Sequence, residues 1–214
     1  MTNEERLDGR RMRGQRTREA VLDAAVALAS VHGLHGLSFG LLAEHLGTSK
    51  SGLFAHWKDK EQLQLDTIDR AREQWTREVM APASHAPAGV RRVFALHEAR
   101  LRFYADGVLP GGCFFLAAQT EFDDRPGPVR TKTAESLEVW LRFIRSLIAE
   151  AISLGELADQ VGAGQLAYEI DALGESAVIH SRLSDRETAF TYARHAVLDR
   201  LRARATDPTL LPEA

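Results

Sequence analysis

At 214 residues, 44% apolar and 27% charged, the chain has the makeup of a globular protein with room for one large domain or two modest ones. A formal net charge of −3 excludes a general polycation, and the single cysteine, Cys113, excludes an intramolecular disulfide framework. No apolar run approaches the roughly 20 residues that span a bilayer, and the opening MTNEERLDGRRMRGQ lacks the apolar stretch of a secretory signal, so a cytoplasmic location is expected.

Charge is unevenly placed along the chain. Residues 1–60 carry nine Lys/Arg and seven Asp/Glu, a net of +2, whereas the remainder carries 18 and 23, a net of −5. Arg10, Arg11, Arg13, Arg16 and Arg18 crowd one short stretch. With little apolar content, residues 1–15 are expected as a flexible arm, either solvated or laid against phosphates. A helix is expected from Thr17, with Val21, Leu22, Ala25, Leu28 and Ala29 on one face and Gly33 as its stop. Ser38 is the expected N-cap of a short helix whose Leu41, Leu42 and Leu46 point inward and which Gly47 ends. Ser49 caps the next, with Leu53, Phe54 and Trp57 as its inner face, and Asp59 caps a helix over 60–80.

The stretch 81–88, APASHAPA, carries two prolines and is expected to break that helix. Helical spacing resumes over 89–106, where Val90, Val93, Phe94, His97, Leu101 and Tyr104 lie near one stripe. Residues 107–112 read as a turn, 113–121 as a short apolar helix and 123–128 as a loop. A long amphipathic helix follows over 129–154, with Leu137, Trp140, Leu141, Ile144, Leu147, Ile148 and Ala151 on its apolar side. Two more helices, 163–182 and 186–204, are separated by a turn with Ser184 as cap, and the tail 206–214 is expected to be loose. No segment shows a sustained strand period, so the expected fold is all-α with about nine helices. Residues 16–63 make the expected helix-turn-helix domain and 64–205 a larger helical domain.

Residues 38–63, SFGLLAEHLGTSKSGLFAHWKDKEQL, are the most informative stretch. Two short helices joined around Gly47 make a helix-turn-helix, whose second helix can enter a DNA major groove. Turning Leu53, Phe54 and Trp57 inward leaves Lys50, Ser51, Gly52, Ala55 and His56 outward. Lys50 is long and basic at the start of this helix, which makes it the first candidate for a base or phosphate contact. Ser38 and Ser49 stand at helix N-termini, where N–H groups and the dipole favour a phosphate, although capping is the commoner role. Lys60 opens a helix, an unfavourable end for a cation unless it meets an anion.

From Thr17 to Leu63 the chain resembles the TetR family of bacterial transcriptional regulators. Thr17-Arg18-Glu19 and Val21-Leu22-Asp23-Ala24-Ala25 resemble the family's opening helix. Gly33, Leu37-Ser38-Phe39, Leu42-Ala43 and Gly47-Thr48-Ser49 fall at its spacing without gaps. Lys50 through Trp57 is similar to its recognition helix, and Lys60-Glu61-x-Leu63 to the start of its fourth helix. The resemblance implies DNA contact through Arg16, Thr17, Arg18, Ser38, Ser49, Lys50, Ser51, Gly52, Ala55, His56 and Lys60, with His56 and Lys60 at positions that meet backbone phosphates. It also implies a homodimer on a palindromic stretch of double-stranded DNA and a larger domain that binds a small molecule. Three departures stand out. Phe54 replaces a Tyr whose hydroxyl contacts phosphate, and is expected in the core; Trp57 replaces a Phe; and Gly40 replaces a long polar residue.

For the larger domain, the stripes Leu166, Ile170, Leu173, Ala177 and Phe190, Ala193, Val197, Leu201 are the dimer surface the resemblance implies, or else pack on the chain's own core. An effector pocket is expected among helices 89–106, 113–121 and 129–154. Its candidate lining is Phe94, Leu101, Tyr104, Phe114, Phe115, Trp140 and Phe143, with His97, Gln119 and Glu121 as polar members; the aromatics and His97 serve equally well as core. Such a lining suits an apolar or aromatic effector. Cys113 follows Pro110-Gly111-Gly112 at a helix N-terminus and reads either as a pocket thiol of raised reactivity or as a small buried hydrophobe.

Catalytic and metal readings find little support. The eight histidines are scattered with no carboxylate–histidine cluster at ligand spacing, and no nucleophile motif, Walker loop or dinucleotide fingerprint occurs. No cofactor and no enzymatic activity are therefore expected. The expected function is a repressor released from its operator by a small molecule. The alternatives are an activator or ligand-independent regulator with the same head, and a helical binding protein or enzyme whose head is vestigial.

Overall fold

The computed structural model describes residues 3–158, 160 and 162–213, with side chains from residue 14 onward. Among them the fold is all-α: α1 (Asn3–His32), α2 (Phe39–Leu46), α3 (Lys50–Phe54), α4 (Lys60–Trp75), α5 (Ala81–Ser84), α6 (Val90–Ala105), α7 (Phe114–Phe122), α8 (Pro128–Ser153), α9 (Ala163–Leu183) and α10 (Arg186–Arg202). A π turn (Thr76–Met80) joins α4 to α5 in one continuous run, which brings the number of described helical rods to the nine expected. The chain divides into two compact units. One holds the residues up to Glu73 together with Leu109–Thr133; the other holds Gln74–Val108 together with the residues from Ala134 onward.

In the first unit, α1 is longer than predicted. The expected arm 1–15 is helical from Asn3, although the side chains of Arg10, Arg11 and Arg13 lie outside the described residues. Apolar periodicity was the wrong test there. Arg, Glu, Gln and Met are good helix formers, and adding a turn to an existing helix costs far less than starting one. From residue 21 most of the predicted face holds: Val21, Leu22, Ala25 and Ala29 are buried, whereas Leu28 is only partly so and Val26 is buried in addition. Gly33 (φ 75°) and Gly47 (φ 62°) supply the left-handed turns after α1 and α2. Ser38 caps α2 by accepting from the Leu41 amide (3.1 Å), and Asp59 caps α4 by accepting from that of Gln62 (2.8 Å), both as expected. The Cys113 sulfur takes the cap position of α7, receiving the Leu116 amide at 3.5 Å, and the residue is buried.

In the second unit, the proline stretch does not stop the helix where expected. The Ala81 amide pairs with the Thr76 carbonyl in the wider π pattern immediately before Pro82, and the helix continues to Ser84. Proline has no N–H to place, and the wider π turn immediately before it is where the run accommodates that loss. Asp185, not Ser184, caps α10, because its carboxylate accepts from the Thr188 amide at 2.8 Å while the Ser184 hydroxyl turns back to the His180 carbonyl. The tail is held rather than loose. Thr206 pairs with the Glu156 carbonyl (3.0 Å), Asp207 caps a short 3-10 turn (Pro208–Leu210), and Leu211 is buried. No helix of the described residues is long and apolar enough to cross a membrane.

Candidate nucleic-acid interface

The head is assembled from small pieces that cannot stand alone. At five residues α3 is far too short to be stable by itself, so its position is set by what it packs on. Leu53 and Trp57 are its buried anchors, and Leu34, Leu37, Leu42 and Leu63 complete the interior. Trp57 explains its own departure from the usual Phe: its Nε1–H donates to Asp66 Oδ2 at 2.8 Å, a bond no Phe could make. Asp66 also accepts from Gln62 (2.9 Å) and pairs with Arg18, whose guanidinium lies 5.4 Å from the centre of the Trp57 ring. One carboxylate thus ties α1, α4 and the end of the recognition helix together.

The corner between α1 and α2 is fastened from several directions. Lys60 donates to the His35 carbonyl, and Gln64 to the buried Leu34 carbonyl at 2.8 Å. Glu121, on α7, accepts from the His35 amide at 2.9 Å. The Gly111 amide donates to Ser30 Oγ (2.9 Å), and a Cβ at Gly111 would stand 1.7 Å from the Ser30 carbonyl oxygen. The turn before α7 therefore fits against α1 only as glycine.

Outward, α3 presents what the sequence predicts. Ser49, Lys50, Ser51, Gly52, Ala55 and His56 are all exposed, as are Arg16 and Thr17. Three predicted contacts have other work in this structure. Ser38 and Ser49 cap their helices, the latter receiving the Gly52 amide at 3.2 Å, and Lys60 is engaged at His35. Arg18 stays 42% exposed even with its ion pair. Lys50 reaches across to α2, where a Cβ on Gly40 would stand 3.2 Å from its Cε and 3.3 Å from its Nζ. The missing side chain at Gly40 makes the room in which the ammonium sits.

Phe54 corrects the sequence reading. It was expected in the core beside Leu53, yet it is 51% exposed and packed against Phe39, with ring centroids 4.3 Å apart and the rings tilted by 38°. Successive helical residues turn by about 100°, so a helix this short can send only one of the pair inward. Leu53 takes the inside, and Trp57, beyond the helix end, fills the rest.

Residues 21–66 match the family model for bacterial regulatory proteins of the tetR family, and residues 89–197, half of the chain, match the tetracyclin repressor-like C-terminal domain. The chain belongs to the TetR family. It is a DNA-binding transcriptional regulator and not an enzyme. A TetR regulator from Chloroflexus aurantiacus is similar over 91% of this chain and 98% of its own, with 28% identity and a TM-score of 0.84. A TetR-family regulator from Cytophaga hutchinsonii (21% identity, 90% and 96% covered, TM-score 0.78) and a protein from Saccharomonospora viridis solved with choline (23%, 90% and 99%, 0.74) share the fold. No match is found among curated proteins.

The remaining candidates are distributed between the units. Cys113, Phe114 and Gln119 lie in the first; Phe94, His97, Leu101, Tyr104, Trp140 and Phe143 lie in the second. There, Tyr104 and Trp140 surround a group the sequence reading missed. The Arg100 guanidinium, buried, pairs with Asp171 at 2.8 Å, donates to Tyr104 Oη at 2.9 Å, and lies within 6 Å of the Trp75, Tyr104 and Trp140 rings. Trp140 Nε1–H donates to the same Asp171 oxygen at 2.8 Å. A Cβ on Gly174 would come 2.4 Å from Arg100, so α9 needs a glycine there. The spacing of Arg100 and Tyr104, one helical turn apart on a buried stripe, was the available signal. His97 is buried too, with Nε2 3.2 Å from the Ala193 carbonyl and no partner for Nδ1. Burial, aided by the charges of Arg100 and Arg194, lowers its pKa to about 3.

The dimer stripes lie mostly inside the single chain. Leu166, Ile170, Ala177, Ala193, Val197 and Leu201 are buried in the chain itself, and Leu173 and Phe190 partly so. α9 and α10 pack on each other, and a single chain uses those stripes as core. Their outer surface carries a different apolar set: Tyr168, Ile179, Leu183 and Tyr192, between 42% and 83% exposed. Between the two helices runs a groove of about 490 Å³ lined by Leu173, Ala177, Ala189, Tyr192 and Ala196, with His180 and Asp185 among its polar members.

Proposed function

We propose that this regulator is a repressor that binds a palindromic operator as a two-fold dimer and leaves it when a small molecule occupies the second unit. The observation that carries the DNA half is the exposed face of α3, with Lys50, Ser51, Gly52, Ala55 and His56 outward over anchors at Leu53 and Trp57. A single five-residue recognition helix reads too few base pairs for tight binding, so two heads are needed, one for each of successive major grooves about 34 Å apart. The dimer half is supported by Tyr168, Ile179, Leu183 and Tyr192, large apolar side chains of two adjacent helices that are between 42% and 83% exposed.

An effector site against α6 is supported by His97. Its neutral ring keeps a buried acceptor without a donor, amid Phe94, Leu101 and Tyr104, and an apolar or aromatic ligand carrying one donor would satisfy it. Release is then a population shift: the effector favours a head spacing that no longer fits the operator. The lever is α4, which opens in the first unit and continues through the π turn into the second.

The test is binding of the purified protein to DNA flanking its own gene at low salt, with and without Lys50→Ala and His56→Ala. Repression through this face requires that affinity fall steeply with salt and that each variant lose about tenfold or more. Undiminished binding by both variants sinks the assignment. For the dimer, Tyr192→Asp should give a monomer by sedimentation and weaken operator binding.

A further inference from the structure

We propose that Phe54 reads a thymine methyl group, so that each operator half-site carries a thymine under its ring; this rests on the DNA-binding face assigned above. Phe54 is 51% exposed, with its ring packed against Phe39 at 4.3 Å between centroids and tilted by 38°. That stack fixes the ring in place on the flank of α3. With Leu53 directed inward, Ser51 and Ala55 point away from the core and Phe54 stands beside them.

The rest of the face offers few hydrogen bonds. Gly52 and Ala55 have no side-chain donor or acceptor, and Ser51 Oγ is 3.0 Å from Ser49 Oγ. Lys50 is the long donor among them, and its ammonium lies beside Gly40, the residue that follows Phe39 in α2. With His56 at a position that meets backbone phosphates, a face built this way reads sequence by one charged contact and one apolar contact. Base edges in the major groove are polar except for the thymine 5-methyl, the one feature there that gains from covering by an aromatic ring. A ring laid on phosphates or on a cytosine edge would instead strip water from polar atoms without replacing its hydrogen bonds. Tyrosine in place of Phe54 would carry a hydroxyl toward the backbone; its absence leaves the ring with only apolar recognition to contribute.

The experiment starts from duplexes selected by the wild-type protein out of a random pool. Each thymine of the selected half-site is replaced in turn by deoxyuridine, which removes only the 5-methyl and keeps the pairing. One symmetric position should lose about fourfold when substituted in one half-site and about fifteen-fold in both, the worth of one buried methyl per head. Phe54→Ala should bind the all-thymine duplex more weakly and show no loss at that position, and Phe54→Tyr should retain the loss. Tolerance of deoxyuridine at every position within twofold, or an undiminished loss in Phe54→Ala, overturns the proposal while leaving the DNA-binding reading intact. If Phe54→Ala does not fold, Phe54→Leu takes its place and should shrink the loss at that position, and an undiminished loss in it overturns the proposal equally. Failure to select any duplex would overturn both readings together.

Discussion

The two units use their aromatic side chains in opposite ways. In the first, Phe54 is stacked on Phe39 and left half in water. In the second, Trp75, Tyr104 and Trp140 close around Arg100 and exclude water from a charge. Neither arrangement is the cheapest available to a folding chain. An exposed ring forgoes burial, and a buried ion pair is commonly no more stable than apolar residues of the same volume. The difference lies in where the cost falls. The exposed ring costs little stability and matters only when something covers it, whereas the buried guanidinium is costly as soon as its partner is lost.

The largest test of that contrast is Arg100→Met. It leaves Asp171 buried without its cation and should destabilise the protein by about 3–5 kcal/mol in urea unfolding, while Arg100→Met with Asp171→Leu should recover most of this. A single-variant loss below about 1 kcal/mol would contradict the buried-pair description. Next is Gly111→Ala in the first unit, where the new methyl would meet the Ser30 carbonyl; about 2–3 kcal/mol is expected, with α1 and α7 losing amide protection together. His97 gives the third. Its folded pKa of about 3 lies below the ordinary 6.5, so the unfolded chain takes up the proton first as pH falls. The contribution is complete above pH 6.5 and is lost progressively towards pH 3, by about 2 kcal/mol between pH 7 and pH 5. His97→Leu should flatten that part of the pH profile, and an unchanged slope would show that another group is responsible. The smallest is Phe54→Ala, which should cost about 1 kcal/mol or less in stability, the worth of one surface ring contact, while altering DNA binding. A large loss of stability there would return Phe54 to the core.

Most of the helices were legible from the sequence because helical order is locally encoded. Ser38, Ser49 and Asp59 cap where they were expected to, and Gly33 and Gly47 end helices for the stated conformational reason. The outward face of α3 was legible for the same reason, since a buried Leu53 and Trp57 leave few ways to orient the rest. The misreadings have separate local causes. The arm was misjudged because propensity sustains a helix without an apolar face, and the break at 81–88 because a π turn accommodated Pro82. Ser184 lost the capping role to its neighbour Asp185.

What the sequence by itself determined is the all-α class, the placement of the helix-turn-helix and the residues it turns outward, all of them set by capping, glycine turns and periodicity within a few residues. Only the tertiary structure decided which apolar residues remain in water. Periodicity marks a helix's apolar side but not what covers it. Thus Phe54 came out and Leu53 went in, and the stripes of α9 and α10 closed on their own chain while Tyr168, Leu183 and Tyr192 stayed outside. The uses of Glu121 at His35, Asp66 at Trp57 and Arg100 at Asp171 were likewise decided there, because each pairs residues more than eight positions apart and is set by which helices meet.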